Sequence, residues 1–222
     1  YYKPINMNKF EKFQSAISFK HATKIAINLS PANSFRSRCE FSYDKDHYVM
    51  HGINEKIYIK TFMDASLEIQ NIMPVLLYEI NNNDEIKEKL FQINFRSNQL
   101  NKLMITMIYH KKIDESLIAL LNQISKNLDI NIIVRSKNFV HGIRGLYLED
   151  MLAYKNLKIF QTDNTFTQSN KYLVDKMISK VINFIDNQRD LLELYCGIGT
   201  FTLPLSFKFN KILATESNRK SI

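Results

Sequence analysis

Between Leu191 and Glu216 the chain reads LLELYCGIGTFTLPLSFKFNKILATE. Two glycines, Gly197 and Gly199, follow a short apolar run and precede a stretch able to form a helix. Glycine has no Cβ, so the backbone there can turn sharply and a ligand can come close to the main chain. Glu216 falls at the end of the next apolar run. A carboxylate in that place can accept hydrogen bonds from both hydroxyls of a ribose. The position of a third glycine in a dinucleotide fingerprint holds Thr202, so nothing demands a pyrophosphate. A two-glycine bend with an acidic second strand end suits S-adenosylmethionine, which presents a ribose, an amino acid and a sulfonium. The same residues also read as a tight turn beside a surface glutamate.

Other reactive groups are sparse. Cys39 and Cys196 are the two cysteines, which excludes a disulfide framework or a cysteine-rich metal site within these residues. A reducing, cytoplasmic setting is the natural expectation. Cys196 lies beside the glycine bend but has no histidine or other base near it in sequence, so a packing role is expected rather than a nucleophilic one. His21, His47, His51, His110 and His141 show no ligand spacing, and no metal is expected.

The elements that must hold the bend are legible around it. Leu191–Leu194 reads as a strand, a short helix runs to about Phe207, and Ile212–Ala214 reads as the next strand. That order opens a parallel, doubly wound sheet. A long helix is expected before it, over Ser169–Asn187, with Leu173, Met177, Val181 and Phe184 on one stripe. Upstream, Arg36–Tyr43 and Lys56–Phe62 alternate as antiparallel strands, with a turn region at His51-Gly52 and Asn54. Asp64 is the expected cap of a helix from Ala65, which carries Pro74 inside it and ends at Asn81–Asn83. Leu90–Arg96 and Leu103–His110 read as strands, Asp114–Leu128 as an amphipathic helix, and Ile130–Val134 as a buried strand. Short strands and turns are expected over 138–160, and residues 1–30 resist assignment. A two-stranded sheet cannot bury both its faces, so the last part is expected to be incomplete.

Bulk composition agrees with a globular α/β protein. Of the 222 residues, 45% are hydrophobic, enough to fill a core. No apolar run reaches the roughly eighteen residues of a membrane span, and the start lacks a signal-peptide pattern. The net charge is +8. Residues 1–160 hold 22 Lys and Arg against 16 Asp and Glu, so +6 of it lies there. A basic domain favours a polyanionic partner through phosphate contacts and counterion release, although a soluble protein can also be basic without one.

LLELYCGIGTFTLPL with LATE at Glu216 closely resembles the cofactor loop of the tRNA uracil-5-methyltransferase family. NTFTQSN at Asn164–Asn170 resembles that family's motif just before its methyltransferase domain. LFQINF at Leu90–Phe95, MIYHKKID at Met107–Asp114 and FRSRCEF at Phe35–Phe41 resemble parts of its RNA-binding domain. The match runs in order from about residue 34 onward. The resemblance implies an α+β RNA-binding domain over 1–160 and the beginning of a Rossmann-like S-adenosylmethionine-dependent domain over 161–222. Gln168, Tyr195, Thr200 and Glu216 would meet the cofactor, and Gln168 also the target base. Thr200 departs from the asparagine often found there. Phe91 would stack within the T-loop of tRNA, and Arg36 and Arg38 would meet phosphates. The family's next basic position is Ser42 here.

The chemistry implied is covalent: a cysteine thiolate adds to uracil C6, C5 takes the methyl group, and a glutamate removes the C5 proton. The family's Ser-Cys-Asn-Pro and Asp-Pro-Pro-Arg segments do not occur in these residues. The chain is therefore expected to be an amino-terminal fragment, monomeric and inactive alone. A ribosomal-RNA uracil-5-methyltransferase is an alternative, against which the missing four-cysteine iron–sulfur site speaks. A non-catalytic tRNA-binding module is another.

Overall fold

Alternating apolar side chains lay down a three-stranded meander: β1 (Arg38–Asp44), β2 (His47–His51) and β3 (Lys56–Ile59). The computed structural model describes residues 8–17, 25–186 and 189–221. Strand β2 occupies residues between the two expected strands that the sequence leaves unassigned, and it ends where the turn region is expected. Its hairpin with β1 turns at Lys45 and Asp46, both left-handed at φ 47° and 60°. A two-residue hairpin requires that handedness, which Asn and Gly usually announce and a lysine does not. The turn expected at Gly52 and Asn54 is present, with the Gly52 N–H donating to the Glu55 carbonyl at 2.9 Å. Residues left unassigned in sequence form helix α1 (Asn8–Ile17).

Helix α2 (Leu67–Asn81) begins after Ser66, not at Ala65, and Asp64 does not cap it. The Asp64 carbonyl accepts the Arg36 N–H at 2.9 Å and the Ser66 N–H donates back to the Arg36 carbonyl at 2.8 Å. Those bonds pair Ala65 with Arg36 as an isolated bridge, and Ser66 is extended at φ -56° and ψ 155°. Pro74 stays inside the helix. Having no N–H, it leaves the Gln70 carbonyl without its helical donor. The Thr61 hydroxyl donates to that carbonyl at 3.3 Å. Helix α3 (Asp84–Lys87) follows, its first N–H groups bonded to the Asn83 side chain.

Strand β4 (Leu90–Ser97), β5 (Leu103–Tyr109), helix α4 (Glu115–Leu128), β6 (Asn131–Ser136) and β7 (Phe139–Gly142) complete the large sheet. Its order is β3-β2-β1-β4-β5-β6-β7. All neighbours are antiparallel except β5 and β6, which α4 joins as a crossover. Helix α4 matches the amphipathic helix expected over Asp114–Leu128, and Asp114 caps it, accepting from the Leu117 N–H at 3.0 Å. Helices α2 and α4 cover one face of the sheet. Ile69, Met73, Leu76, Leu117 and Leu121 pack there against Phe41, Ile93, Phe95, Ile105 and Ile132.

Part of the opposite face is covered by a hairpin of β8 (Tyr147–Leu152) and β9 (Leu157–Thr162), with Leu148 set on Met104 and Ile133. Helix α5 (Val174–Asn183) is shorter than the expected Ser169–Asn187, of which Asn187 lies outside the described residues. The Ser169 carbonyl accepts the Ser37 N–H at 2.7 Å, and the Lys171 N–H donates to the Phe35 carbonyl at 3.3 Å. Groups bonded this way are withdrawn from a helix. Ile178 is the buried residue of α5, with Val174 and Ile182 beside it, while the Met177, Val181, Phe184 stripe faces outward. Strand β10 (Asp190–Leu194), helix α6 (Thr202–Leu205) and strand β11 (Lys211–Thr215) end the order, β10 and β11 being parallel. Leu192, Leu194 and Leu213 are about 60% exposed on this two-stranded sheet.

One arginine joins the two halves. Arg96, 2% exposed, donates from Nη2 to the Thr165 and Asp163 carbonyls at 2.6 and 3.2 Å, and from Nη1 to the Thr167 hydroxyl at 3.2 Å. Burial lowers its pKa to about 10, which still leaves it charged at neutral pH. Removing the guanidinium strands three acceptors, so Arg96→Met should cost about 3 kcal/mol, against under about 1 kcal/mol for the more exposed Arg38→Met. Urea unfolding compares them, and equal midpoints would refute the clamp.

Candidate functional site

At the carboxyl end of β10 the chain enters the glycine bend. Tyr195, Gly197 and Gly199 all have positive φ, at 58°, 59° and 81°. The Cys196 N–H continues the parallel pairing by donating to the Thr215 carbonyl at 3.0 Å. Glu216 then reaches back across the bend. Its Oε2 accepts the Gly197 N–H at 2.8 Å and its Oε1 accepts the Asn218 N–H at 2.7 Å. The Asn218 and Gly197 N–H donors hold the carboxyl below its ordinary pKa, so it is ionised at neutral pH. A carboxylate has about four lone-pair sites, so these bonds leave capacity for a ligand hydroxyl. Ile198 and Phe201 pack on the cluster of Leu152, Ile159 and Ile178, which fixes the bend to β8, β9 and α5.

Residues 161–167 alternate inward and outward. Gln161, Asp163, Thr165 and Thr167 are buried while Asn164 and Phe166 are exposed. Of the inward set Asp163, Thr165 and Thr167 meet Arg96, Gln161 donates to Asp150 at 2.7 Å, and Asp163 also faces Arg135, whose Nη1 stands 2.7 Å from its Oδ2. That oxygen lies outside hydrogen-bonding geometry, so the contact is one of charge. The outward set meets the bend. A Cβ on Gly197 would lie 3.9 Å from the Phe166 carbonyl, and the Asn218 amide donates to the Asn164 carbonyl at 3.4 Å.

Gln168 stands where the two halves meet. It lines a cleft of about 410 Å³ together with Arg36, Arg38 and Phe166. It also lines a smaller pocket with Thr200, Asp150 and Lys171. Arg36 is exposed, with no side-chain partner among the described residues. Arg38 is bound through Nε and Nη2 to Glu40, at 2.9 and 2.5 Å. Tyr195 points its ring outward, 83% exposed. The structure thus gathers Arg36, Arg38 and Gln168 in one cleft, Thr200 beside Gln168, and Gly197 with Glu216.

Phe91 lies apart. Arg38 pairs with Arg96, and Phe91 is five residues back along β4, about 16 Å away. It sits at a register shift in which Leu90 pairs with Tyr109 and Gln92 with Ile108, leaving Phe91 as the extra residue. Its ring, 43% exposed, stacks on His110 with centroids 4.3 Å apart and planes 16° from parallel. Arg96, Asp163 and Asn218 are given no role by the sequence, and His110 is weighed there as a metal ligand rather than as the partner of Phe91. Arg96 signalled itself only as a charge inside a strand.

A glycine bend at the carboxyl end of a parallel strand, gripped by an acid from the next strand, places the chain among α/β proteins of Rossmann-like type. The family model described as tRNA (Uracil-5-)-methyltransferase matches residues 2–222, and the chain belongs to that family. The match takes in residues 2–33, where no motif is legible. It is 41% identical over 202 residues to the tRNA/tmRNA (uracil-C(5))-methyltransferase of Campylobacter lari, covering 87% of this chain and 57% of the relative. It is 37% identical to the protein of that name in Nautilia profundicola, covering 96% and 62%. The chain spans about three-fifths of the length of these relatives. Its fold is similar to the crystal structure of Pyrococcus abyssi tRNA (uracil-54, C5)-methyltransferase in complex with S-adenosyl-L-homocysteine. That likeness has a TM-score of 0.76 at 16% identity and covers 97% of this chain and 57% of the other.

A side chain at either glycine meets a backbone that L-residues avoid. Gly197→Ala should lose about 1 kcal/mol. Gly199→Ala should lose more, because its Cβ would stand 3.3 Å from Leu203 Cγ. Thermal melts that rank them in the reverse order contradict this geometry. Burial pushes the Cys39 thiol up to about 12. At about pH 8 it should resist maleimide in the folded chain and react after denaturation, read by peptide mass spectrometry. Rapid labelling of native Cys39 would restore it as a nucleophile candidate.

Proposed function

We propose that this chain supplies the RNA-binding and cofactor-gripping parts of an enzyme that forms 5-methyluridine in the T-loop of tRNA, using S-adenosylmethionine. The observation that carries the reading is the Glu216 carboxylate, held ionised across the glycine bend by the Gly197 and Asn218 N–H groups. Its remaining acceptor sites face a ribose diol, as the acidic second-strand residue does in nucleotide-type folds. Gly197 and Gly199 leave room beside the main chain, Tyr195 offers an exposed ring, and Thr200 and Gln168 border the same region. The cofactor, when bound, supplies an electrophilic methyl group. This chain's own residues bind and orient it.

Residues 1–160 serve as the RNA-binding part and 161–222 as the beginning of the cofactor domain. Arg36 and Arg38 would meet phosphates near Gln168, while Phe91 with His110 offers a stacked aromatic pair for unstacked bases. Neither cysteine is placed as the nucleophile: Cys39 is buried with its thiol pKa raised, and Cys196 faces the Gly197 carbonyl, with Sγ to O 3.9 Å. The leucines exposed on β10 and β11 leave apolar faces of that sheet open to a covering element.

Calorimetry with S-adenosylmethionine on a version extended to its relatives' length tests the grip. Glu216→Ala should weaken binding at least about tenfold, the worth of one charge-assisted hydrogen bond. Unchanged affinity overturns the assignment. Labelled methyl transfer to T-loop hairpins and to ribosomal-RNA fragments decides the substrate. The 222-residue chain alone should transfer none.

A further inference from the structure

Strands β5 and β6 are the parallel pair of the large sheet, and a cleft of about 1070 Å³ opens at their carboxyl ends. Crevices at that end of parallel strands are where α/β sheets receive ligands. His110, Lys111, Lys112, Arg135, Lys137 and Phe139 line it. Two of the four cations are neutralised: Lys111 Nζ pairs with Glu88 at 2.9 Å, and Arg135 with Asp163 at 2.7 Å. Lys112 and Lys137 are exposed and carry no ion pair among the described residues. The nearest acid in sequence, Asp114, is turned to its helix cap. A long open cleft with two free ammonium groups and no opposing carboxylate attracts a polyanion rather than a compact apolar ligand.

The cleft adjoins the aromatic stack. His110 is shared: its ring lies on Phe91 and it also forms part of the cleft wall. Across the cleft, Phe139 stacks with His141, centroids 6.2 Å apart. We propose that the cleft is a phosphate track for the stem that continues from an RNA loop held at Phe91 and His110, with Lys112 and Lys137 as its two contacts. This rests on the RNA-binding reading above and adds to it a second, stem-directed surface. Backbone contacts of this kind position a helix without reading its sequence.

Fluorescence anisotropy on the whole 222-residue chain tests it with two hairpins of the same T-loop, one with a minimal stem and one longer by about five base pairs. The unaltered chain should bind the longer stem more tightly. Lys112→Ala with Lys137→Ala should weaken the longer hairpin about tenfold or more at 0.1 M salt, lower its log–log salt slope by about two, and leave the short hairpin within about twofold. The double arginine variant should restore the preference. Equal loss on both hairpins, or no loss on either, overturns the stem track. Failure of the unaltered chain to bind either RNA removes the underlying RNA-binding reading instead. Phe91→Ala should weaken both hairpins alike.

Discussion

A guanidinium taken out of water must be given acceptors, and Arg96 finds all of its own in one stretch of chain, residues 163–167. The arrangement beyond β9 depends on that requirement. The segment cannot move off the large sheet without stranding a buried charge, and it cannot slide by one residue without turning Thr165 and Thr167 outward. Its backbone is therefore fixed against β4 on one side. On the other side Asn164 and Phe166 meet the glycine bend. Gln168 follows directly, so its place between the arginine cleft and the Thr200 pocket is set by a side chain on a different strand.

The glycine bend obeys a second constraint of the same kind. The Gly197 N–H at its centre donates to a carboxylate rather than a carbonyl, and that carboxylate stands at the end of β11. Two left-handed glycines turn the main chain toward it, and Ile198 and Phe201 anchor the turn from below. Tyr195 shares the left-handed conformation without being glycine, a local cost of about 1–2 kcal/mol sustained by its neighbours.

Much of this was legible in the residues. Alternation marks β1 and β3, apolar runs mark β4 and β5, the amphipathic spacing of Leu117, Leu120, Leu121 and Ile124 marks α4, and the glycines with Glu216 mark the bend. What failed to show was decided by partners distant in sequence. Strand β2 was hidden because Lys45 and Asp46 make a turn usually signalled by glycine. Helix α5 is apolar on two sides, Leu173, Met177, Val181 and Phe184 on one and Val174, Ile178 and Ile182 on the other. Periodicity alone could not say which faces Leu152 and Ile159. Asp64 lost its capping role to a bridge with Arg36. Arg96 reads as an ordinary strand residue until its acceptors, some seventy positions on, are in place.

The irregularity in β4 has an effect of its own. Leu90 and Ile93 are three residues apart, yet both face the core, because the inserted position absorbs the odd step. Phe91 is thereby uncoupled from the packing that fixes its neighbours. The residue there can change in size or polarity without repacking the interior. A contact surface can thus be retuned over generations while the scaffold beneath it stays the same.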